Sequence, residues 1–234
     1  MTLPDTRAAR SAILQRLRSA EPGKPVAVPD VPAYYRDMPD SGAAERRARF
    51  IANARGWQAE VHETGAATWT ETLADVIAAH GVRHLLAGVG TPLSAALAAA
   101  PTAARLAWYD RPIEALKDTL FDTIDAGITT ARGGIAETGS LILWPDRHEP
   151  RTLSLVPPLH IAVLPAEAIH ATLHHAMHGE RWAADLPTNA LLVTGPSKTA
   201  DIQRLLVYGA HGPKKLVILV VHGMQHPAPH GGIA

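Results

Sequence analysis

Residues 83–92 read RHLLAGVGTP, a short apolar run that ends in a glycine turn and leads into a helical pattern. Comparable strand and helix patterns flank this stretch on both sides. Strands are predicted at residues 56–62, 83–87 and 105–108, and helices at residues 70–80, 93–100 and 113–120. Such alternation is typical of a parallel sheet covered by helices on both faces. The chain is therefore predicted to have an α/β fold with a largely parallel sheet.

Further elements are predicted on both sides of this region. An amphipathic helix that begins near Asp5 or Thr6 forms an N-terminal helical arm, which can dock on the body of the protein or on a second subunit. Prolines within residues 21–39 indicate an extended linker, and another helix is predicted at residues 41–54. Later strands are predicted at residues 140–144, 160–164, 190–194 and 216–221, with helices at residues 169–177 and 199–205. The resulting division is an arm and linker at 1–40, an α/β domain at 41–222 and a flexible tail at 223–234.

Composition excludes several classes of function. Lys+Arg and Asp+Glu both total 22 in the 234 residues, so the net charge gives no reason to expect binding to nucleic acid or an anionic membrane. The chain has no cysteine, which excludes disulfides, thiolate metal sites and a cysteine nucleophile. It contains neither the apolar core of a signal peptide nor an apolar run of about 18 residues. We expect a soluble, cytoplasmic protein.

A carboxylate motif lies at residues 131–144, which read ARGGIAETGSLILW. Its glycines permit a tight turn, and the apolar run that follows predicts a buried strand that holds this turn. We expect the Glu137 carboxylate to be partly desolvated, which raises its pKa unless Thr138 and the Gly139 amide donate hydrogen bonds to it. Glu137 is a candidate base, nucleophile or ligand clamp. The alternative is a structural carboxylate that binds the backbone of its own turn.

Two glycine turns follow predicted strands, at residues 87–91 (AGVGT) and 193–198 (VTGPSK). Turns at the carboxyl ends of strands can receive anionic groups, so both are candidate ligand sites. Neither matches a P-loop or the full dinucleotide fingerprint. Both can instead be structural, and in the second Ser197 or Thr199 can cap a helix whose first turn contains Asp201. We expect this second turn and Glu137 to face one cleft.

Histidine is frequent, with 13 residues. His160 and His211 lie where loops meet predicted strands, and each is either a functional histidine or a structural one whose hydrogen bonds are satisfied. Another group, spaced for one helical face, consists of His170, His174 and His178. Because no orienting carboxylate is evident, these side chains indicate a solvated helix face, and no metal site is predicted. The tail histidines can bind metal adventitiously; they are His222, His226 and His230.

Four segments resemble, in order and spacing, the LUD domain family and in particular its small, cysteine-free members. They are residues 134–143 (GIAETGSLIL), 153–162 (LSLVPPLHIA), 195–202 (GPSKTADI) and 207–213 (VYGAHGP). The resemblance implies a three-layer α/β/α sandwich similar to the NagB/RpiA/CoA-transferase fold. It also implies a role in oxidising L-lactate to pyruvate together with iron–sulfur subunits.

The resemblance also indicates site residues. The candidate catalytic residues are Glu137, His160 and His211. The candidate ligand-binding residues are Gly134, Thr138, Gly139, Gly195, Pro196, Ser197, Thr199, Asp201 and Gly212.

The function expected from these features is that of an accessory, non-redox subunit. It handles a small carboxylate or phosphorylated ligand, or a partner surface, and carries no cofactor, so that any iron–sulfur cluster belongs to partner subunits. A homo-oligomer is possible. One alternative is a free-standing enzyme of the CoA-transferase or sugar-phosphate isomerase type that uses Glu137. Another is a ligand sensor or assembly module without chemistry.

Overall fold

The computed structural model describes residues 7–20, 27–36, 41–184, 186–200 and 206–225. The chain divides into two compact units, Met1–Pro39 and Asp40–Ala234. Among the described residues, every helix is too short or too polar to cross a membrane.

The first unit contains helices α1 (Arg7–Ser19) and α2 (Val31–Arg36). Helix α1 was predicted and includes no buried residue. Helix α2 lies inside the proline-rich segment, where an extended linker was expected, and that part of the prediction is wrong. Asp30 Oδ1 accepts a hydrogen bond from the Ala33 amide at 3.0 Å and so caps α2. Pro32 falls in the first turn, where a missing N–H breaks no helical hydrogen bond.

The second unit contains six further helices and twelve strands in its described residues. The helices are α3 (Ala43–Gly56), α4 (Trp69–His80), α5 (Ser94–Ala98), α6 (Ile113–Asp122), α7 (Arg151–Leu155) and α8 (Leu173–Gly179). The strands are β1 (Glu60–Gly65), β2 (His84–Gly88), β3 (Arg105–Tyr109), β4 (Ala126–Thr130), β5 (Gly133–Ile135), β6 (Ser140–Leu143), β7 (Leu159–Pro165), β8 (Ile169–His170), β9 (Leu191–Val193), β10 (Lys198–Ala200), β11 (Leu206–Tyr208) and β12 (Lys215–His222). Two short 3-10 helices lie at Ala166–Ala168 and Trp182–Ala184.

Six parallel strands form the main sheet in the order β1-β12-β7-β4-β2-β3. This arrangement confirms the predicted α/β fold with a largely parallel sheet. Strand β1 lies at one edge of this sheet. Strand β12, although last in chain order among the described strands, pairs with β1 on one side and β7 on the other.

Helices and a second sheet cover the two faces of the main sheet. On one face, Leu73 of α4 packs with Ile161 and Leu219. On the other face, Phe50 of α3 and Leu141 of β6 pack with Ile218. Because successive strand residues point to opposite faces, the apolar main strands contribute to both layers of core. The result is the three-layer arrangement that was expected.

The second sheet has four strands in the order β8-β5-β6-β9. The strands expected at residues 140–144 and 190–194 lie here, as β6 and β9, and not in the parallel sheet. The short turn at residues 136–139 joins β5 to β6 and permits only antiparallel pairing, because a parallel neighbour requires a long crossover. Strands β10 and β11 form a separate antiparallel pair.

Two predicted helices are wrong over part of their length. In the segment 169–177, Ile169 and His170 form β8, and α8 begins only after Thr172, whose Oγ1 accepts a hydrogen bond from the His175 amide at 3.2 Å. Pairing of Ile169 with Gly134 of β5 overrides the helical pattern there. In the segment 199–205, the first two residues belong to β10, which pairs with β11. Residues 201–205 lie outside the described residues.

Candidate functional site

The turn after β5 and the turn after β9 meet at the carboxyl end of α3. A Cβ atom on Gly139 would lie 2.4 Å from the Ala54 nitrogen, and a Cβ atom on Gly195 would lie 2.5 Å from the Trp57 carbonyl oxygen. The Asn53 amide Nδ2 donates hydrogen bonds to the carbonyl oxygens of Ala136, at 2.8 Å, and of Glu137, at 3.1 Å. The structure thus brings together two of the motifs that the sequence singled out.

Three hydroxyl groups connect the same two turns. Ser140 Oγ lies 2.8 Å from Thr138 Oγ1 and 2.6 Å from Thr194 Oγ1. Ser140 is buried, and it belongs to β6, which pairs with β9 just before Thr194. This hydrogen-bonded row fixes the Thr138 side chain relative to the Gly195 turn.

The Glu137 side chain is exposed, so the expectation that the protein desolvates this carboxylate is wrong. Its main-chain amide donates to the Ala171 carbonyl oxygen at 3.0 Å, which fixes the backbone while the side chain points outward. Within the described residues its carboxylate makes no hydrogen bond. The role of Glu137 as base, nucleophile or clamp stays a prediction.

Gly134 is buried inside the second sheet. A Cβ atom there would lie 2.9 Å from a ring carbon of Phe50, so this glycine permits close packing against α3. Gly134 is buried, and its role as a ligand-binding residue stays a prediction.

Ser197 and Gly212 lie together near the amino ends of β7 and β12. The Ser197 amide donates to the Pro213 carbonyl oxygen at 2.9 Å, and the Lys214 amide donates to the Pro158 carbonyl oxygen at 2.8 Å. His211 is exposed in the same turn, while Pro196 and Thr199 are half-buried. Asp201 lies outside the described residues. This group occupies the amino edge of the main sheet, whereas ligands in α/β proteins generally bind at the carboxyl edge.

His160 is a buried histidine of strand β7, with only 1% of its surface exposed. Its Nε2 atom lies 2.8 Å from Thr129 Oγ1. Burial lowers the pKa of His160 to about 4, so the imidazole is neutral at physiological pH. Of the two roles considered for His160, functional and structural, this buried environment favours the structural one.

His170 does not share a helical face with the other two histidines of its group. It lies in β8, and its Nε2 atom is 2.9 Å from Glu180 Oε1. His174 and His178 lie on α8 with ring centroids 4.3 Å apart. Across the described ranges, metal-ligating side chains do not gather in groups of three or more. Of the tail histidines, His222 belongs to β12, and the other two lie outside the described residues.

A carboxylate that was not predicted, on the half-buried residue Glu149, lies at the carboxyl edge of the main sheet. Glu149 accepts hydrogen bonds from the Thr130 amide and hydroxyl, each at 2.9 Å, at the end of β4. Burial raises the pKa of Glu149 to about 7, and the nearby charge of Asp146 adds to this effect. A carboxyl group with this pKa can donate or accept a proton near neutral pH.

The loop that carries Glu149 packs against the glycine turn after β2. A Cβ atom on Gly88 would lie 2.2 Å from the His148 carbonyl oxygen. The glycine turn was identified in the sequence as a candidate site, but its partner loop was not. The available signal was the concentration of titratable side chains between two prolines, in residues 145–150 (PDRHEP).

Replacement of Glu149 by glutamine should change how stability depends on pH. The native pKa of about 7 lies above the ordinary value of 4.5, so the folded state binds this proton more tightly. The contribution of Glu149 is therefore fully present below pH 4.5 and is lost as pH rises through 7, which amounts to at most about 3 kcal/mol. Urea unfolding of both proteins is measured at pH 5 and pH 8. Between these two pH values the free energy of unfolding should decrease less in Glu149→Gln than in the unmodified protein.

The variant is needed for comparison because titration of His160 changes the free energy of unfolding with pH in the opposite direction. Its native pKa of about 4 lies below the ordinary 6.5, so its contribution is present above pH 6.5 and is lost as pH falls through 4. The two effects partly cancel in the unmodified protein. If the difference in unfolding free energy between the two proteins stays constant from pH 5 to pH 8, the assignment to Glu149 is wrong.

Comparison with known proteins yields one family and several relatives. A family model described as the LUD domain matches residues 47–221. A protein of Neisseria meningitidis serogroup B, named as uncharacterised, is 37% identical over 218 residues, which cover 91% of this chain and 93% of that protein. Lactate utilization protein C of Macrococcus caseolyticus is 37% identical over 103 residues, covering 42% of this chain and 44% of its own length. The protein of the same name from Oceanobacillus iheyensis is 31% identical over 117 residues, covering 48% of this chain and 50% of that protein.

A solved structure has a similar fold. The crystal structure of a DUF162 family protein from Deinococcus radiodurans matches with a TM-score of 0.56 and 22% identity, covering 78% of this chain and 99% of that chain. The two lactate utilization proteins are each matched over half of their length or less. The family model, in contrast, spans well over half of this chain, and the Neisseria relative aligns over most of it. The chain belongs to the LUD domain family.

Proposed function

We propose that the chain is a non-redox subunit of a system that oxidises L-lactate to pyruvate. The names of its relatives support this role, since several are lactate utilization proteins. The chain has no cysteine with which to ligate an iron–sulfur cluster. The electrons released from lactate would therefore pass to clusters in partner subunits.

The observation that carries the proposal is the exposed Glu137 side chain on a firmly held turn. Asn53 binds the carbonyl oxygens of this turn, and Ser140 links it to the Gly195 turn. A carboxylate here repels the anion L-lactate but attracts a basic surface of another protein. We therefore assign the Glu137 turn to contact with the iron–sulfur subunits.

Glu137→Gln should weaken capture of those subunits. An exposed charge pair contributes about 1 kcal/mol, so recovery of the iron–sulfur subunits with the tagged protein should fall about fivefold. The matched control is Glu71→Gln, which removes an exposed carboxylate from α4 and should leave recovery unchanged. The same variants are then compared for growth on L-lactate in a strain without its own copy of the gene.

Two results would contradict this function. Oxidation of L-lactate by the purified chain with an artificial electron acceptor would show that it is not an accessory subunit. Equal recovery of the partners with Glu137→Gln and with the unmodified chain would show that the Glu137 turn is not the contact surface.

An acyl-transfer enzyme is the second candidate, and the accessibility of Glu137 favours it. A carboxylate can attack an acyl-CoA carbonyl to release the CoA thiolate, which then attacks the resulting anhydride at the glutamyl carbon. The acyl group leaves as a free carboxylate, and a glutamyl-CoA thioester remains on the protein. Mass spectrometry after incubation with acetyl-CoA detects this adduct, which Glu137→Gln cannot form.

A further inference from the structure

A crevice opens at the carboxyl ends of β2 and β3, because the chain leaves these two strands toward opposite faces of the main sheet. After β2 it enters α5, whose Leu97 packs on the same face as Leu85. After β3 it enters α6, whose Leu116 packs on the opposite face with Leu86. Such a point, where successive connections diverge, is where open α/β sheets bind ligands.

A pocket of about 650 Å³ occupies this crevice, and we call it the switch-point pocket. Its volume lies within the usual range of small-molecule sites, about 300–1,000 Å³. Apolar groups of Val89, Ile113 and Pro150 form part of its wall. The rest of the wall includes the charged and polar side chains of Asp110, Arg111, Arg147, His148 and Arg151.

Positive charge predominates in the switch-point pocket. Three arginines line it against one carboxylate, which leaves an excess of two positive charges when His148 is neutral. Asp110 Oδ1 accepts a hydrogen bond from Arg111 Nε at 2.9 Å. In the described part of the chain, Arg151 forms no ion pair, so its guanidinium group can bind a ligand.

His148 holds Arg147 in place through a fixed tautomer. The His148 Nδ1 atom lies 2.8 Å from the Val89 carbonyl oxygen, which can only accept, so Nδ1 carries the proton. Arg147 Nε then donates to the unprotonated Nε2 at 2.9 Å. Gly88 and Gly90 allow His148 to lie close to the glycine turn, since a Cβ atom on Gly90 would lie 3.3 Å from His148 Nδ1. Arg147 is therefore anchored through Nε, with its terminal nitrogens left for a ligand.

We propose that the switch-point pocket binds an organic dianion, with either a phosphate or two carboxylates on an apolar body. Guanidinium groups bind both kinds of anion in a bidentate manner. The excess of two positive charges matches a dianion better than the monoanion L-lactate. The volume and the apolar wall also favour a ligand larger than a three-carbon acid. This site is separate from the Glu137 turn and does not depend on the proposed role in lactate oxidation.

Calorimetric titration of the purified chain tests the proposal with three probes. Phenyl phosphate is a dianion with an apolar body, succinate is a dicarboxylate, and L-lactate is the monoanion. We expect one of the two dianions to bind at least tenfold more tightly than L-lactate, and its identity distinguishes phosphate from dicarboxylate recognition. The affinity should fall as the salt concentration rises.

Arginine variants locate the binding site. Arg147→Gln and Arg151→Gln should each weaken binding of the preferred dianion about tenfold, because each removes a charge-assisted hydrogen bond. The control Arg49→Gln removes an exposed arginine of α3 and should bind as the unmodified protein does. Equal urea midpoints establish that all variants are folded. Failure of both dianions to bind more tightly than L-lactate, or equal affinity in all variants, would overturn the proposal.

Discussion

Gly139→Ala is expected to lower the free energy of unfolding by about 3 kcal/mol or more. Gly139 has φ of +72°, a conformation that costs other residues about 1–3 kcal/mol. In addition, its new Cβ atom would lie 2.4 Å from the Ala54 nitrogen and 2.7 Å from the Asn53 carbonyl carbon. Both are backbone atoms of α3, so relieving the contact requires the turn and the helix to separate, at a further cost of about 1–3 kcal/mol.

Gly56→Ala is the matched control for this substitution. Gly56 ends the same helix, and an added Cβ atom would have no neighbour within 4 Å. The change should be neutral or stabilise the protein by up to about 1 kcal/mol. Urea unfolding followed by tryptophan fluorescence measures both variants. Similar midpoints for Gly139→Ala and Gly56→Ala would show that the turn does not depend on close contact with α3.

The second large effect is expected for Glu180→Gln, which breaks a buried ion pair. Glu180 Oε2 accepts a hydrogen bond from Arg132 Nε at 2.7 Å, and the two side chains are only 8% and 5% exposed. Trp182 Nε1 donates to the same oxygen at 3.2 Å, and the Arg132 guanidinium lies 4.2 Å from the ring centroid of Trp144. Arginine cannot lose its proton, so the variant leaves a buried charge. Such a loss destabilises proteins by about 3–5 kcal/mol.

Glu63→Gln provides the comparison at the surface. Glu63 pairs with Arg47 at 3.1 Å, but these side chains are 45% and 29% exposed, and exposed pairs contribute at most about 1 kcal/mol. The double variant Arg132→Met with Glu180→Leu should regain part of the stability lost in Glu180→Gln, because it removes both buried charges. Equal unfolding free energies for Glu180→Gln and Glu63→Gln would contradict this account.

Local patterns predicted most of the main sheet correctly. Strands β2 and β3 and helices α4 and α6 follow from apolar runs and helical periodicity within a few residues. The second sheet could not be predicted in this way, because β6 finds its partner β9 about fifty residues later. The same limitation explains the error at Ile169, where pairing with β5 prevails over a helical pattern.

The candidate sites were also predictable only where they depend on local sequence. The Glu137 and Gly195 motifs were found because each is continuous in the sequence, and they were expected to face one cleft. Their contacts with the carboxyl end of α3 were not predicted. The direction of the Glu137 side chain depends on the turn and was not predicted. The switch-point pocket was foreseen only through its glycine turn, since Arg111 and Arg147 come from distant segments that the fold brings together.

The position of β12 has a consequence for the order of folding during synthesis. Strand β1 has its main-sheet neighbour only in residues 215–222, which the ribosome adds more than 150 positions later. Until then β1 and one side of β7 expose unpaired backbone N–H and C=O groups. Strands of other nascent chains can pair with these groups. Pairing over such sequence separation also makes closure of the sheet slow. Completion of the main sheet must therefore wait for β12 to insert between β1 and β7, which are both synthesised earlier.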